Sequence, residues 1–252
     1  MITFEQMLEV VEEPVFASLD VSAFSEDDVV NIILQRSEII RDQRRPGRVV
    51  AAWSEGDSAP ALALVAQLGD TLIRRAAAMI WLEFQEILPT LRTLAPRSAS
   101  DIGCGYAFFD YFLWREFGCD LTLIDLEQSE ERHFGYKERG AAYSNLMTAR
   151  RFLISNGVDE HAIHLRNPST DNLFSDSPVD LAVSFISCGF HYPVDTYLDY
   201  FRRQVSPTGG VIVDFRARKA REGAEKLRAL GQVSVLTDAA YGNAKRTFLQ
   251  KG

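Results

Sequence analysis

Short apolar runs alternate with amphipathic stretches from residue 98 to the end of the chain. A helix with one apolar side is predicted over 194–205, and a turn is predicted at 206–210. The apolar runs predict seven strands, near 98–102, 121–124, 162–166, 181–187, 211–215, 232–236 and 246–250. Strands that alternate with helices build a parallel sheet with both faces covered, so we predict a doubly wound, mostly parallel α/β sheet of seven strands.

Helical patterns fill the region before the first strand. Ser25 and Asp28 have the spacing of a capping box, and they predict the start of a helix over 25–43. Pro46-Gly47 then breaks the chain, because proline and glycine both interrupt regular structure.

Two further helices are predicted over 61–68 and 71–88, the second ending at Pro89 or shortly after it. This second helix is apolar on several sides, so we expect it to pack against the core. We divide the chain into a helical N-terminal cap, residues 1–97, and a second domain, residues 98–252. We expect the cap to lie over the strand ends of that domain.

The segment that opens the second domain carries the clearest chemical pattern. Asp101 ends the first strand, Gly103 and Gly105 form a tight turn, a helix follows over 107–117, and Asp125 ends the second strand. Glycines allow a ligand to approach the backbone, and an acid at the tip of the second strand can bind ribose hydroxyls. The pattern therefore predicts a site for a nucleotide-like cofactor.

The glycine spacing distinguishes between cofactors. A dinucleotide site needs a third glycine where this chain has Phe108, and Asp101 would repel a pyrophosphate. The segment resembles motif I of the class I S-adenosylmethionine-dependent methyltransferases, with Ala107 in place of the third glycine of that family. The resemblance implies that Asp125 binds the ribose of S-adenosylmethionine. It further implies that Asp101 and the turn lie at the methionine end.

Further candidate residues follow from the rule that ligands bind at the carboxyl ends of parallel strands. By resemblance, the cofactor-binding set is Asp101, Gly103, Cys104, Gly105, Asp125, Leu126, Asn167 and Ser187, with Asn167 or its neighbours at the adenine. The substrate-binding candidates are Tyr192, Asp214 and Arg216. His191 is the catalytic candidate, because a neutral histidine can remove a proton from an acceptor hydroxyl. The alternative, that His191 only hydrogen-bonds backbone in a turn, stays open.

Three runs give a narrower resemblance, to bacterial sugar O-methyltransferases: FISCGFHYPVDTYLDYF, DIGCGY and AAYSNLMTARRFLISNG. The implied activity is methyl transfer from S-adenosylmethionine to a small acceptor, such as a hydroxyl of a sugar or a related polar metabolite. A catalytically silent methyltransferase-like binding module and, with less support, a nicotinamide-dependent oxidoreductase are the alternatives. Nucleic-acid methylation is disfavoured by the acidic balance and by the lack of an Asn-Pro-Pro-Tyr-like run.

Bulk properties restrict the partners. The 252 residues carry a net charge of −8, which argues against general binding to nucleic acid or membrane surfaces. A basic run at 41–48 is interpreted as a solvated helix end and turn. Three cysteines without metal-ligand spacing, and no signal-peptide pattern, predict a cytoplasmic protein with reduced thiols and no metal site. Homo-oligomerisation is compatible with the sequence. The segment 128–140 is either a functional loop or a plain connection.

Overall fold

A computed structural model describes residues 2–126, 145–240 and 243–252 of the chain. Its helices are α1 (Phe4–Val10), α2 (Pro14–Ala17), α3 (Glu26–Gln35), α4 (Pro46–Ser54), α5 (Ala59–Leu68), α6 (Asp70–Leu94), α7 (Phe108–Phe117), α8 (Leu146–Ser155), α9 (Asp195–Gln204) and α10 (Ala220–Arg228). Its strands are β1 (Ser98–Ile102), β2 (Asp120–Ile124), β3 (Ile163–Arg166), β4 (Val179–Ser184), β5 (Val205–Arg216), β6 (Gly231–Ala240) and β7 (Ala244–Lys251). None of the described helices is long and apolar enough to cross a lipid bilayer.

The strands form a single seven-stranded sheet in the order β3-β2-β1-β4-β5-β7-β6. Neighbours from β3 to β5 pair in parallel, and β7 is antiparallel to both β5 and β6. The predicted mostly parallel seven-stranded sheet is therefore confirmed. The order reverses between β1 and β4, and this reversal opens a crevice at the carboxyl ends of the two strands.

Alternating side chains on each strand pack against helices on opposite faces of the sheet. Ala99 of β1 packs with helices α6, α7 and α8, whereas Ile102 of the same strand packs with α9 and α10. This two-sided burial is what the apolar, non-alternating strand sequences predict. The first of these cores also contains side chains of α1 to α5, so apolar packing is continuous across residue 97.

The capping box at the start of α3 is confirmed, because Ser25 Oγ accepts from the Asp28 amide and Asp28 Oδ2 accepts from the Ser25 amide. The predicted length is wrong, since α3 ends at Gln35 and a 3₁₀ turn follows at Ser37–Ile40. Arg36 leaves the helical region, with φ −131°, and its guanidinium pairs with Glu83 of α6. A tertiary ion pair thus replaces the helical continuation that the local pattern favoured.

The predicted end of α6 is also wrong, because the helix continues through Pro89 to Leu94. Proline removes one backbone hydrogen bond from a helix. Burial of Ile87, Leu88 and Leu91 around it offsets that loss. The predicted break at Pro46 holds, and Pro46 is the first residue of α4, where its missing amide hydrogen costs no helical bond.

The turn predicted at 206–210 lies within β5, at the point where the register with β4 shifts. Helix α8 has Asn145 as its N-cap and Asn156 as its C-cap. The segment 128–140 lies outside the described residues. The three cysteines are buried free thiols.

Candidate functional site

A cavity of about 740 Å³ lies at the carboxyl ends of β1, β2, β4 and β5. Its volume is within the range of about 300–1,000 Å³ that small-molecule sites occupy. One wall comes from the residues after the strands, and the opposite wall comes from α3, α6 and the segment after α3. The N-terminal helices therefore lie over the strand ends, on the same side as the predicted site.

The turn after β1 depends on two positive backbone angles. Gly103 has φ 79° and Gly105 has φ 58°, in the left-handed region that favours glycine. A Cβ on Gly103 would lie 2.1 Å from Ser187 Oγ, so this position also requires close packing against the loop after β4. Gly105 has only Gln35 Oε1 nearby, 3.5 Å from an added Cβ, so its constraint is conformational. Ala107 is left-handed as well, with φ 59°, which explains why a glycine would suit that position.

Helix α3 anchors this turn from the other side of the cavity. Tyr106 Oη donates a hydrogen bond of 2.9 Å to Asp28 Oδ1, and Asn31 Nδ2 donates to Tyr106 Oη at 3.3 Å. These groups are buried, where a satisfied hydrogen bond is costly to break. Asp28, whose carboxylate also completes the capping box of α3, thereby fixes the glycine turn.

Asp125 directly follows β2 and closes the turn. Its Oδ2 accepts from the Gly105 amide at 2.9 Å, and its Oδ1 accepts from the Leu126 amide at 2.7 Å. Asp125 lines the cavity. Backbone amides hold the carboxylate at the cavity wall, and a carboxylate is a group that accepts hydrogen bonds from hydroxyls.

Asp101 and Asp110 form a buried carboxylate pair behind the turn. Burial raises the pKa of Asp101 well above its usual value, and the neighbouring Asp110 raises it further. Burial raises the pKa of Asp110 to about 7. Among the described residues, Asp101 Oδ1 and Asp110 Oδ2 have no hydrogen-bond partner. Of the two residues, Asp101 lines the cavity, where its unpartnered oxygen suits a cationic ligand.

The loop after β4 supplies the opposite rim. Ser184 Oγ donates to the Ile102 carbonyl at 2.7 Å and accepts from the Cys188 amide at 2.9 Å, which fixes the start of the loop. Ser187 Oγ and Tyr192 Oη lie 3.1 Å apart. Burial raises the pKa of Tyr192 well above its usual value, so the phenol stays neutral. His191 lies in the same loop.

His191 is half-buried and lines the cavity. Its amide donates to the Ser187 carbonyl at 2.8 Å, and its ring packs edge-on against Phe190 at 5.2 Å between centroids. The imidazole is thus held by its own loop in the same cavity as Asp101 and Asp125.

A buried ion network crosses the far side of the cavity from β5 to α3. Arg246 donates to both oxygens of Asp214 at 2.8 Å and to Glu83 Oε2 at 2.9 Å. Glu83 pairs in turn with Arg36, and Arg36 lies 3.3 Å from Glu38. Removing charges from water is costly, so such a network persists only when its members are paired.

Nine of the twelve predicted site residues line the cavity: Asp101, Gly103, Cys104, Gly105, Asp125, Ser187, His191, Tyr192 and Arg216. Leu126 and Asn167 do not line it. Asn167 instead organises its own turn, since its amide donates to Asp171 and its side-chain oxygen accepts from Ser169.

The placement of Asp214 differs from the prediction of a substrate-binding residue. Its side chain is fully buried, and both carboxylate oxygens are occupied by Arg246. Asp214 therefore orients an arginine that lines the cavity instead of facing the cavity itself.

Sequence reasoning placed the N-terminal region over the strand ends but did not identify the polar residues that this region and β7 bring to the cavity: Gln35, Arg36, Arg41, Glu83 and Arg246. The sequence signal that could have identified Glu83 and Arg246 is a charged residue at a position where the pattern predicts a buried side chain. Arg41 begins the basic run 41–48, whose arginines are exposed as predicted, but Arg41 also lines the cavity.

No family model matches this chain, and no curated protein matches it significantly in sequence. Solved structures do match the fold. A proposed O-methyltransferase from Nostoc punctiforme PCC 73102 aligns over 89% of this chain and 72% of its own, with a TM-score of 0.52 and 13% identity. The S-adenosylmethionine-dependent methyltransferase SibL, in its apo form, aligns over 88% of this chain and 73% of its own, with a TM-score of 0.51 and 16% identity.

The fold is that of the S-adenosylmethionine-dependent methyltransferases. Both alignments extend over more than the 155 residues after position 97, as their coverage of this chain requires, so the likeness includes part of the N-terminal helical region. At these identities the likeness establishes the fold, and the chemistry has to be argued from the cavity itself.

The residues of the cavity fit S-adenosylmethionine, which the methyltransferase fold implies as cofactor. The cofactor carries an ammonium and a sulfonium and no phosphate. Asp101 has an unpartnered oxygen that suits a cation, and Asp125 suits ribose hydroxyls. A carboxylate at each of these positions would repel a pyrophosphate, which disfavours a dinucleotide.

Proposed function

We propose that this protein is an S-adenosylmethionine-dependent methyltransferase that acts on a hydroxyl of a small polar metabolite, such as a sugar. The observation that carries the proposal is one cavity in which Asp101 and Asp125 flank the glycine turn and His191 lies on the loop across from it. The cavity volume of about 740 Å³ suits small ligands. The net charge of −8 favours a metabolite over a nucleic acid as the acceptor.

Each residue has a role in this proposal. Asp125 binds the ribose hydroxyls, Asp101 lies at the ammonium of the methionine moiety, and the Gly103–Gly105 backbone allows close approach. The cofactor supplies a methyl group that its sulfonium already activates for transfer. His191 accepts the proton of the acceptor hydroxyl at a ring nitrogen, and the apolar helices over the cavity exclude water.

Titration of the purified protein tests the cofactor. Isothermal calorimetry with S-adenosylmethionine, with its demethylated product and with NAD should give binding for the first two and none for NAD. Binding of NAD alone would establish the oxidoreductase alternative. Absence of binding by all three would refute a cofactor-dependent enzyme.

His191→Ala tests the proposed base. We expect cofactor affinity to stay nearly unchanged and turnover of an acceptor to fall by about two to four orders of magnitude. His164→Ala is the matched control, because His164 is exposed on β3 and does not line the cavity. A variant that keeps full turnover, or one that loses only stability, would assign His191 a structural role.

A further inference from the structure

Cations as well as carboxylates line the cavity. Four arginines line it: Arg36, Arg41, Arg216 and Arg246. Asp101 and Asp125 line it at the glycine turn, and Glu83 lines it beside Arg36 and Arg246.

Two of the four arginines already have carboxylate partners. Arg246 is bound by Asp214 and Glu83, and Arg36 is bound by Glu83 and Glu38. Their positive charges are compensated within the ion network. These two arginines shape the cavity, and the network leaves them with little unmatched charge for a ligand.

Arg216 has no such compensation. Its Nε donates to the Phe190 carbonyl at 2.7 Å, and its guanidinium lies over the Phe190 ring at 4.5 Å from the centroid. Within the described parts of the chain, no carboxylate forms an ion pair with it. Burial, together with the nearby Arg218, lowers the pKa of Arg216, as expected for a cation that lacks a counter-ion.

The fixed geometry of Arg216 leaves its two terminal nitrogens available. A guanidinium has five N–H donors, and the backbone contact uses only the one on Nε. The contact and the stacked ring hold the planar fork in one orientation, which suits bidentate binding of a carboxylate or phosphate. Arg41 lies on the same cavity, is exposed, and likewise has no ion pair among the residues that the structure describes.

The position of Arg216 relates the anion to the reacting group. Its partner Phe190 immediately precedes His191 in the chain. Arg216 and His191 line the same cavity, so one acceptor could contact both side chains.

We propose that the acceptor carries a carboxylate or phosphate group, that Arg216 binds this group, and that Arg41 assists from the cavity rim. The proposal rests on the proposed function, because it assigns the acceptor class of that same site. An uncharged sugar would leave the Arg216 fork without its counter-ion. A sugar acid or a sugar phosphate has an anionic group for the Arg216 guanidinium and a hydroxyl for His191.

The test uses inorganic phosphate and acetate as bare probes of the full-length protein saturated with S-adenosylhomocysteine. NMR titration of the wild type should detect binding of at least one of the two probes, and Arg216→Gln should weaken it by about tenfold or more. Preference for one probe distinguishes a phosphate-bearing acceptor from a carboxylate-bearing one. Arg218→Gln is the matched control, since it removes the same charge two residues away from a side chain that does not line the cavity. It should change affinity by less than about threefold.

The outcomes separate the two proposals. Failure of the wild type to bind either probe, or equal weakening by Arg216→Gln and Arg218→Gln, would overturn the anionic acceptor. Binding of S-adenosylhomocysteine, measured by calorimetry on the same samples, reports on the methyltransferase proposal independently. Normal cofactor binding in Arg216→Gln, with loss of anion binding, is the result that supports the inference.

Discussion

We expect Glu83→Gln to destabilise the protein strongly, although it only replaces one carboxylate oxygen by an amide nitrogen. Glu83 is buried on α6 and lies between Arg246 of β7 and Arg36. The neutral amide keeps the shape of the side chain and removes its charge. Arg246 then keeps Asp214 as a counter-ion and Arg36 keeps Glu38, but both lose the charge of Glu83.

The magnitude follows from two independent arguments. Burial raises the pKa of Glu83, but the charges of Arg36 and Arg246 outweigh burial and lower it from 4.5 to about 2. At about 1.4 kcal/mol per unit, that shift corresponds to roughly 3 kcal/mol. Removal of one partner from a buried ion pair costs about 3–5 kcal/mol. A loss of about 3 kcal/mol should lower the Tm by about 6–12 °C in a protein of this size.

The effect should depend on pH with a definite sign. A carboxyl whose folded pKa is depressed contributes stability above its unfolded pKa and loses it as pH falls through the folded pKa. The stability difference between wild type and Glu83→Gln should therefore be complete above about pH 5 and shrink as the pH falls towards about 2.

Urea unfolding followed by circular dichroism, at neutral pH and in acidic steps, measures both quantities. Glu86→Gln is the matched control, because Glu86 is exposed on the same helix. A Glu83→Gln variant within about 0.5 kcal/mol of Glu86→Gln at neutral pH would refute the reasoning, since surface changes fall within that range. A stability difference that stays constant on acidification would refute the assigned pKa.

Three further predictions concern the cofactor end. Asp125→Ala should weaken S-adenosylmethionine binding by about tenfold or more in calorimetry. Asp120→Ala, at an exposed position at the start of β2, is the control and should leave the affinity unchanged. Equal dissociation constants for the two variants would show that Asp125 does not bind the ribose. Gly103→Ala should lower the Tm more than Gly118→Ala does. Both glycines have positive φ, but only a Cβ at residue 103 would meet a side chain, that of Ser187, at 2.1 Å. Equal losses of Tm would show that this contact with Ser187 does not contribute. The buried carboxylate pair has raised pKa values, so a cationic cofactor should displace its proton and bind more tightly as the pH rises through about 7. Calorimetry in buffers of different ionisation enthalpy measures that proton release, and an affinity independent of pH would contradict it.

The strand and helix order, the glycine turn and the acids at the strand ends could be predicted from sequence because each depends on local chemistry. Gly103 and Gly105 adopt positive φ easily because they lack a Cβ, and Asp101 and Asp125 lie at the carboxyl ends of apolar strands of recognisable length. The rule that ligands bind at carboxyl ends of parallel strands then placed most of the cavity wall, including His191 and Arg216.

Only the tertiary structure determines the ion network and the wall of the cavity that α3 and α6 form. Arg246 and Glu83 are 163 positions apart in sequence, and no local pattern indicates that they meet. The same holds for Asp214, which lies at a strand end as expected yet faces Arg246, because β7 inserts beside β5 and brings that guanidinium opposite its carboxylate. Helix α6 passes through Pro89 for a related reason, since buried contacts outweigh one missing hydrogen bond. Burial and pairing of charge depend on which faces meet, and that is a property of the assembled chain.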